Sequence, residues 1–524
     1  DGTTLTVEGK TTIGSGHLNT GTSSSIAGGT LNTSSGNCSF IGGGDSNSAS
    51  GGGSFIGGGS GNINTGFNSV LVGGSINCVS NNCSVIVGGR QNIVSGQHGF
   101  IGSGCCNILD LANCSFIGGG QENKISSTNT QASIVGGFKN YICGVSGLPP
   151  YPSNCSFIGG GSQNLIECSY NASIVGGTLN TASGACSFIG GGYSNNNQGC
   201  SATIGGGCDN CIGSSGTHGT IAGGKDNYVG NTGGTVGGGE SNDARGTYDT
   251  IVGGCGNYIG QNSSTTTTSG WNTVGGRLNC ITGPGNVCYN ALFGCNNRVY
   301  CNGQFNFAGG FNNCFGSQTS ISCTSVYSAI FGFNNKICSN YGFIAGGYGN
   351  SIQSGHQSAA ILGTYNKSST ASKTTYMCNV CAFGSLTKAS GTFKIDHPNP
   401  CKTSTHNLQH SFVESPTAGD NIYRFKIEIG DKLKGEIILP KYYKYLNTDS
   451  QVWVNPVDNL GRAFGVVNSK DTKVNITTSE PGNYNVLVIS TRKDKDATQN
   501  WKGTETIKNE GELINYKKGQ KNES

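Results

Sequence analysis

The sequence predicts an all-β chain, a parallel β-solenoid of about 22 coils followed by a small antiparallel β-sandwich-like domain. Three observations lead there. Glycine supplies 91 of 524 residues without a three-residue period, an asparagine recurs about every fifteen residues, and about three-fifths of the charged residues lie after Gly391. Collagen requires a strict glycine triplet, and disorder would bring more than the 10 prolines present and fewer β-branched residues. A repeat architecture with many tight turns remains.

The register is set on Asn19, Asn32, Asn47, Asn62, Asn77, Asn92, Asn107, Asn123 and Asn140, and runs on through Asn227 to Asn350 and Asn366. A glycine stands three positions before each, as at Gly44, Gly59, Gly74 and Gly224. Six positions before stands, in nearly every repeat, an apolar residue, as at Ile41 and Ile56, and two positions after a second one recurs in most, as at Val79 and Ile166. Short β-branched pieces such as Phe40-Ile41 read as strands. The Gly-x-x-Asn that follows reads as a turn, since Gly accepts positive φ and Asn bonds nearby backbone. Each repeat is then one coil with two strands and two turns, its Ile and Val stacked on the next coil's. Stacked asparagines are expected to form a hydrogen-bonded ladder. Helix is excluded, because runs such as Gly57-Gly58-Gly59 would cost about 1 kcal/mol per residue.

One coil offers two or three inward apolar side chains, worth roughly 1.5–3 kcal/mol each, against about 1–2 kcal/mol per residue of backbone ordering. That thin balance predicts a homo-oligomer of cyclic symmetry, a homotrimer first, covering a further face that includes Phe40, Phe55, Phe116, Phe157 and Phe188.

Segments such as Ser54-Phe-Ile-Gly-Gly-Gly-Ser-Gly-Asn62 and Ser173-Ile-Val-Gly-Gly-Thr-Leu-Asn-Thr-Ala-Ser-Gly resemble the head repeats of trimeric autotransporter adhesins. They are also similar to the Gly-rich repeats of phage and large-virus fibre proteins. The resemblance covers about residues 11–390 and implies a left-handed parallel β-roll that trimerises.

After Ser390 the glycine period stops, and alternating strands such as Arg424–Ile429, Gly435–Leu439, Lys473–Thr477 and Asn485–Ile489 predict the β-sandwich. Phe393-Lys-Ile-Asp-His-Pro398, His410-Ser-Phe-Val-Glu-Ser-Pro416 and Ile438-Leu-Pro-Lys-Tyr-Tyr443 resemble a terminal domain found behind such repeats in phage tail-fibre-like and viral surface proteins. That likeness implies a fibre-terminal module for trimer registration or attachment. The expected organisation is a lead-in over 1–10, a rod over 11–390, a β-domain over 391–503 and a charged tail over 504–524. The chain begins at Asp1 rather than Met, as a processed or partial sequence would.

Catalytic constellations are weak. Asp396, His397, His406, His410, Ser411 and Glu414 cluster, but no nucleophile-elbow pattern surrounds Ser411, and structural hydrogen bonding is the expectation. Polysaccharide-cleaving tailspikes use paired carboxylates, whereas the rod's acids are scattered. Glu240 and Asp243 come nearest to a pair and are read as solvated turn residues. No catalytic, cofactor or metal residue is assigned.

The 24 cysteines are read first as small buried residues, with disulfides such as Cys78 to Cys83 as the alternative in an extracellular or virion setting. Cys208-x-x-Cys211 and Cys378-x-x-Cys381 have zinc-like spacing without His neighbours, so no metal is expected. Asn-x-Ser/Thr sequons such as Asn37-Cys-Ser39 and Asn171-Ala-Ser173 bear on function only in a glycosylating compartment. A net charge of +4 suggests no nucleic-acid partner, and no apolar stretch of eighteen residues exists to enter a membrane. Aromatic residues in long loops, for example Tyr151 and Trp271, are read first as turn or interface packing, with stacking on a host glycan as the alternative. The functional expectation is a non-enzymatic structural fibre at a virion surface, or otherwise extracellular, acting in host attachment. A cellular surface adhesin or secreted filament protein is the alternative, and a polysaccharide-processing tailspike the third.

Overall fold

The computed structural model describes residues 9–377, apart from 127–129, 145–153, 261–268, 284–286, 301–302 and 317–323. Of the C-terminal part it describes 393–396, 402, 407–410, 420–468, 470 and 472–494. Two compact units result, Asp1–Val380 and Cys381–Ser524.

The first unit is a parallel β-solenoid. A typical coil runs through a strand (Phe40–Ile41), a turn with a single bridge at Asp45, a second strand (Ser48–Ala49) and a second turn. Each strand pairs in parallel, in register, with its counterpart one coil on: Phe40↔Phe55 and Ile41↔Ile56 in the first ladder, Ser48↔Ile63 and Ala49↔Asn64 in the second. The second ladder has 21 rungs, one fewer than the asparagine count suggests. At the roughly 4.8 Å strand spacing these coils extend about 100 Å along the axis.

Two-residue strands suffice because stacking, rather than strand length, supplies the hydrogen bonds. The second residue of each strand points inward. Ile41, Ile56, Leu71 and Ile86 stack in one column, Val79, Val94, Leu109 and Ile125 in the other, all fully buried. Glycine three positions before the asparagine is obligatory: at Gly59 φ is +93°, and a Cβ there would lie 2.0 Å from the carbonyl oxygen of Gly74 in the next coil.

The register is corrected at its two ends. Asn19 is a strand residue in the first coil (Leu18–Asn19), and the turn position there is held by His17, whose Nδ1 accepts from the Asn32 amide at 3.1 Å. Asn366 sits exposed at φ 46°, and the ladder place falls one residue on, at Lys367, whose amide donates to Asn350 Oδ1 at 2.9 Å; Thr364, opposite Gly347, adds a bond from its Oγ1 at 2.7 Å. In both coils a second side chain with hydrogen-bonding capacity lies nearby, and spacing alone does not choose between them.

From about residue 250 the coil changes. First-ladder strands lengthen to five or six residues (Thr250–Cys255, Ala291–Cys295), and a third parallel ladder appears: Ser269–Gly270, Val287–Cys288, Gly303–Gln304 and Ser325–Val326.

The second unit contains a hairpin of Phe393–Asp396 with Asn407–His410 and two three-stranded antiparallel sheets. Its later strands are numbered here β1 (Asp420–Ile429), β2 (Lys434–Ile438), β3 (Asn447–Pro456), β4 (Ala463–Asn468), β5 (Lys473–Thr478) and β6 (Gly482–Arg492). One sheet runs β1-β6-β3 and the other β2-β5-β4, with Ile429, Leu439, Tyr443, Val474, Ile476, Tyr484 and Val488 packed between them.

Candidate functional site

The expected asparagine ladder is the spine of the rod. From Asn32 to Asn350 each ladder asparagine is at most 1% exposed, and its Oδ1 accepts the backbone N–H of the next: Asn47 to Asn62 at 3.0 Å, Asn62 to Asn77 at 3.0 Å, Asn210 to Asn227 at 3.1 Å. The Nδ2 of Asn62 donates to the carbonyls of Gly58 in its own coil (3.0 Å) and Gly74 in the next (2.9 Å). Asn227 repeats this with Gly223 and Gly239. One side chain thus satisfies three backbone groups of two coils in a buried turn.

A second ladder, which sequence reasoning missed, occupies the opposite corner from coil to coil through Asp249, Asn272, Asn290 and Asn306. Asp249 Oδ1 accepts the Asn272 amide at 3.1 Å and Nδ2 at 3.0 Å, and Asn272, Asn290 and Asn306 continue upward at 3.0–3.1 Å. Each of these asparagines donates from Nδ2 to a carbonyl of the coil above, as Asn272 does to Val287 at 3.0 Å. Burial pushes the Asp249 carboxyl up to about 6 against the opposing bonds from Asn272, and Oδ2 makes no hydrogen bond of sound geometry. The available signal was an Asn one place before a strand, where earlier coils carry Ser39, Ser54 and Ser69.

Beside that ladder stand six rings in one column, Tyr248, Trp271, Tyr289, Phe305, Tyr327 and Tyr341, with centroids 4.7–5.6 Å apart and planes within 27° of parallel. Trp271 is about half exposed, but both its faces are covered, by Tyr248 and Tyr289. A sugar stacks on a ring face, so this column offers it edges only. Trp271 is therefore a packing residue of the stack; Tyr151 lies outside the described residues. A shorter column joins Phe311, Phe333, Tyr348 and Tyr365 at 5.0–5.2 Å.

The first ladder's strands carry a single charged residue along their described length, the exposed Arg277 at the end of Thr273–Arg277. Its outward positions are Phe40, Phe55, Val70, Val85, Phe100 and Phe116 in the early coils, then mainly Ser, Thr, Ala and further Phe. The residues two places on (Val72, Val135, Val175, Val252) are also apolar and exposed. Phe40 stacks on Phe55 at 5.5 Å and Phe100 on Phe116 at 5.4 Å, leaving each outer surface uncovered. The second ladder's outward face differs, with Lys124, Asp243, Arg298 and Lys336.

The carboxylates are engaged separately. Glu240 lies 3.4 Å from Lys225 in the preceding coil, while Asp243, a strand residue rather than a turn residue, is chelated by Arg245 at 2.8–2.9 Å. Asp396 and His410 fall at opposite ends of their hairpin, across from Asn407 and Phe393. His397, His406, Ser411 and Glu414 lie outside the described residues, as do Cys378 and Cys381. Among the described residues no three His, Cys, Asp or Glu side chains converge as metal ligands.

Cys78 and Cys83 stand as free thiols. Cys78 lies on the outward side of a second-ladder strand, Cys83 exposed in the following turn, so the two occupy successive faces of the coil. Burial pushes the thiols of Cys78 and Cys211 up, and that of Cys314 to about 11, as befits packing residues; Cys208 and Cys211 sit in a turn and a strand respectively. Cys338 is disulfide-bonded. No family model matches the chain, and no curated protein matches it.

Proposed function

We propose that the chain is a subunit of a trimeric structural fibre on the surface of a virus particle, acting in host attachment. The solenoid supplies reach and stiffness, and exposed loops or the C-terminal unit make the contact with a host glycan or receptor. The observation that carries the proposal is the asymmetry of the rod's faces. One outward ladder has Arg277 as its single charge and alternates apolar stretches with neutral Ser and Thr over some 100 Å, and a strip that long and two side chains wide presents on the order of 700–1,000 Å². A stable interface needs about 800 Å² from each partner, and monomers rarely leave such a patch bare. Three chains is the number implied by the likeness to trimeric adhesin heads and viral fibres.

Light scattering under reducing conditions tests the assembly: the mass should be three times the 53.7 kDa chain, and a monomer would overturn it. Gold-labelled antibody against the C-terminal unit should decorate the distal ends of fibres on particles. Labelling of cell walls or secreted filaments instead would favour a cellular adhesin.

A further inference from the structure

The second turn of every coil holds one residue in the left-handed region, and in five of the early coils that residue is cysteine: Cys38, Cys83, Cys114, Cys155 and Cys186, at φ 52–56°. All five are exposed. This is an unusual place for the residue. Free cysteine is among the most buried side chains, and a left-handed backbone favours Gly, Asn or Asp. Composition (24 Cys in 524 residues) would put roughly one cysteine in this column, so packing and chance both fail to explain it.

The turns hold these thiols rigidly outward. The amides of Cys38, Cys83, Cys114 and Cys155 donate to carbonyls of the preceding coil (Thr22, Phe67, Gln97 and Thr130) at 2.7–3.0 Å. The asparagine before each, Asn37, Asn82, Asn113 or Asn154, accepts from an amide of that same coil at 2.8–3.1 Å. Beyond the backbone, Cys155 Sγ reaches only the exposed Gln131 side chain, at 3.3 Å.

Spacing forbids pairing along the column. The residues between are Gly53, Asn68, His98 and Gln131, which puts neighbouring cysteines two or three coils, about 10–14 Å, apart. A disulfide needs Cα atoms closer than about 7 Å. Cys186 is set aside, because Cys200 stands in the next coil's turn, roughly 6 Å away by strand spacing and one residue step.

We infer that Cys38, Cys83, Cys114 and Cys155 form an edge for covalent lateral joining of the rod to a second, parallel copy of this chain. Parallel copies in register bring each thiol to its own counterpart. The uneven steps of three, two and two coils prevent an antiparallel copy from matching all four. In the presence of a low-molecular-weight disulfide such as oxidised glutathione, a cysteine thiolate attacks it, forms a mixed disulfide and expels one glutathione thiolate. The second copy's thiolate then displaces the other, so two protein thiols are oxidised and one glutathione disulfide is reduced.

The test is incubation of the full chain with oxidised glutathione at pH 8, then a denaturing gel without reductant and mass mapping of linked peptides. Covalent dimers and higher species should form, linked Cys38 to Cys38, Cys83 to Cys83, and so on. The C38S/C83S/C114S/C155S variant should lose at least tenfold of this product; Ser already occupies the same turn site at Ser23 and Ser201, so the fold should persist. Three results would each overturn the inference: wild-type chains that stay single with glutathione-capped thiols, a variant that cross-links equally, or linked peptides that are not homotypic. Mass under reducing conditions reports the trimer separately, so either idea can fail alone.

Discussion

Asp249 begins the second ladder with a carboxylate where every later rung has an amide or hydroxyl, and replacing it by asparagine isolates what that charge does. The residue is fully buried, its carboxyl sits at about 6, and Oδ2 makes no sound hydrogen bond. An unfolded aspartate titrates near 3.9. Between about pH 4 and 6 the native carboxyl keeps a proton that the unfolded one has released. Stability therefore falls as pH rises through that window, and the loss is complete above pH 6. A shift of about two units is worth about 3 kcal/mol, the upper bound for relief of the charge. The substituted amide would keep Oδ1 for Asn272, and its Nδ2 would reach the Ser269 carbonyl, the counterpart of the Val287 oxygen that Asn272 uses. Because repeat rods do not unfold in one step, the measurement is native-state hydrogen exchange of amides within residues 235–260, normalised for intrinsic rate. Asp249→Asn should raise the local opening free energy at pH 7 by up to about 3 kcal/mol and abolish its change between pH 4 and 6. Equal protection in variant and wild type at pH 7, or a wild type whose protection does not fall with rising pH, would refute the reasoning.

Other perturbations follow from the same geometry. Asn62→Ala removes the acceptor of the Asn77 amide and the donor to Gly58 and Gly74, so protection of the coils on either side should drop by about 3–5 kcal/mol. Asn62→Asp should be comparably damaging at neutral pH, since it sets a carboxylate oxygen against the Gly58 and Gly74 carbonyls; rescue at low pH is the check. Trp271→Ala breaks two stacking contacts and should cost about 1–3 kcal/mol in protection of residues 247–290, while leaving adhesion of fibres to glycan-coated surfaces unchanged. Phe40→Lys combined with Phe116→Lys places charge on the apolar face and should convert trimers to single chains by light scattering, with far-ultraviolet circular dichroism preserved.

The rod was legible because its signals are local and repeated. Gly59 and Asn62 must each be what they are for reasons contained in two adjacent coils, and a period exposes them together. The ends were misread where that redundancy stops: His17 accepts the Asn32 amide as well as an asparagine would, so Asn19, two residues on, captured the count. The second ladder was hidden by unequal loops, since 23, 18 and 16 residues separate Asp249, Asn272, Asn290 and Asn306. The aromatic column follows the same loops, so its members look unrelated along the chain. Orientation was the other gap. Cys38 and Cys78 each follow an asparagine, yet Cys38 projects from a left-handed turn and Cys78 lies on a strand.

These features meet at one corner of the coil. In some early coils the second turn closes on itself through a backbone bond, as from Ser39 to Gly36 at 3.2 Å and Ser54 to Gly51 at 3.1 Å; in others a serine bonds between coils, Ser84 donating from Oγ to Gly96 at 2.8 Å and from its amide to Ser69 Oγ at 3.1 Å. Where the chain between the ladders lengthens, after residue 260, the corner is held from the coils above and below. Asparagine does this by bonding vertically, to Val287, Gly303 and Ser325 in turn, and the third ladder adds backbone pairs. The aromatic column sits one residue away and shields those bonds from water along the same stretch. The exchange of Ser for Asn at this corner thus marks where axial bonding passes from single hydroxyls, as at Ser84, to amides that donate and accept at once.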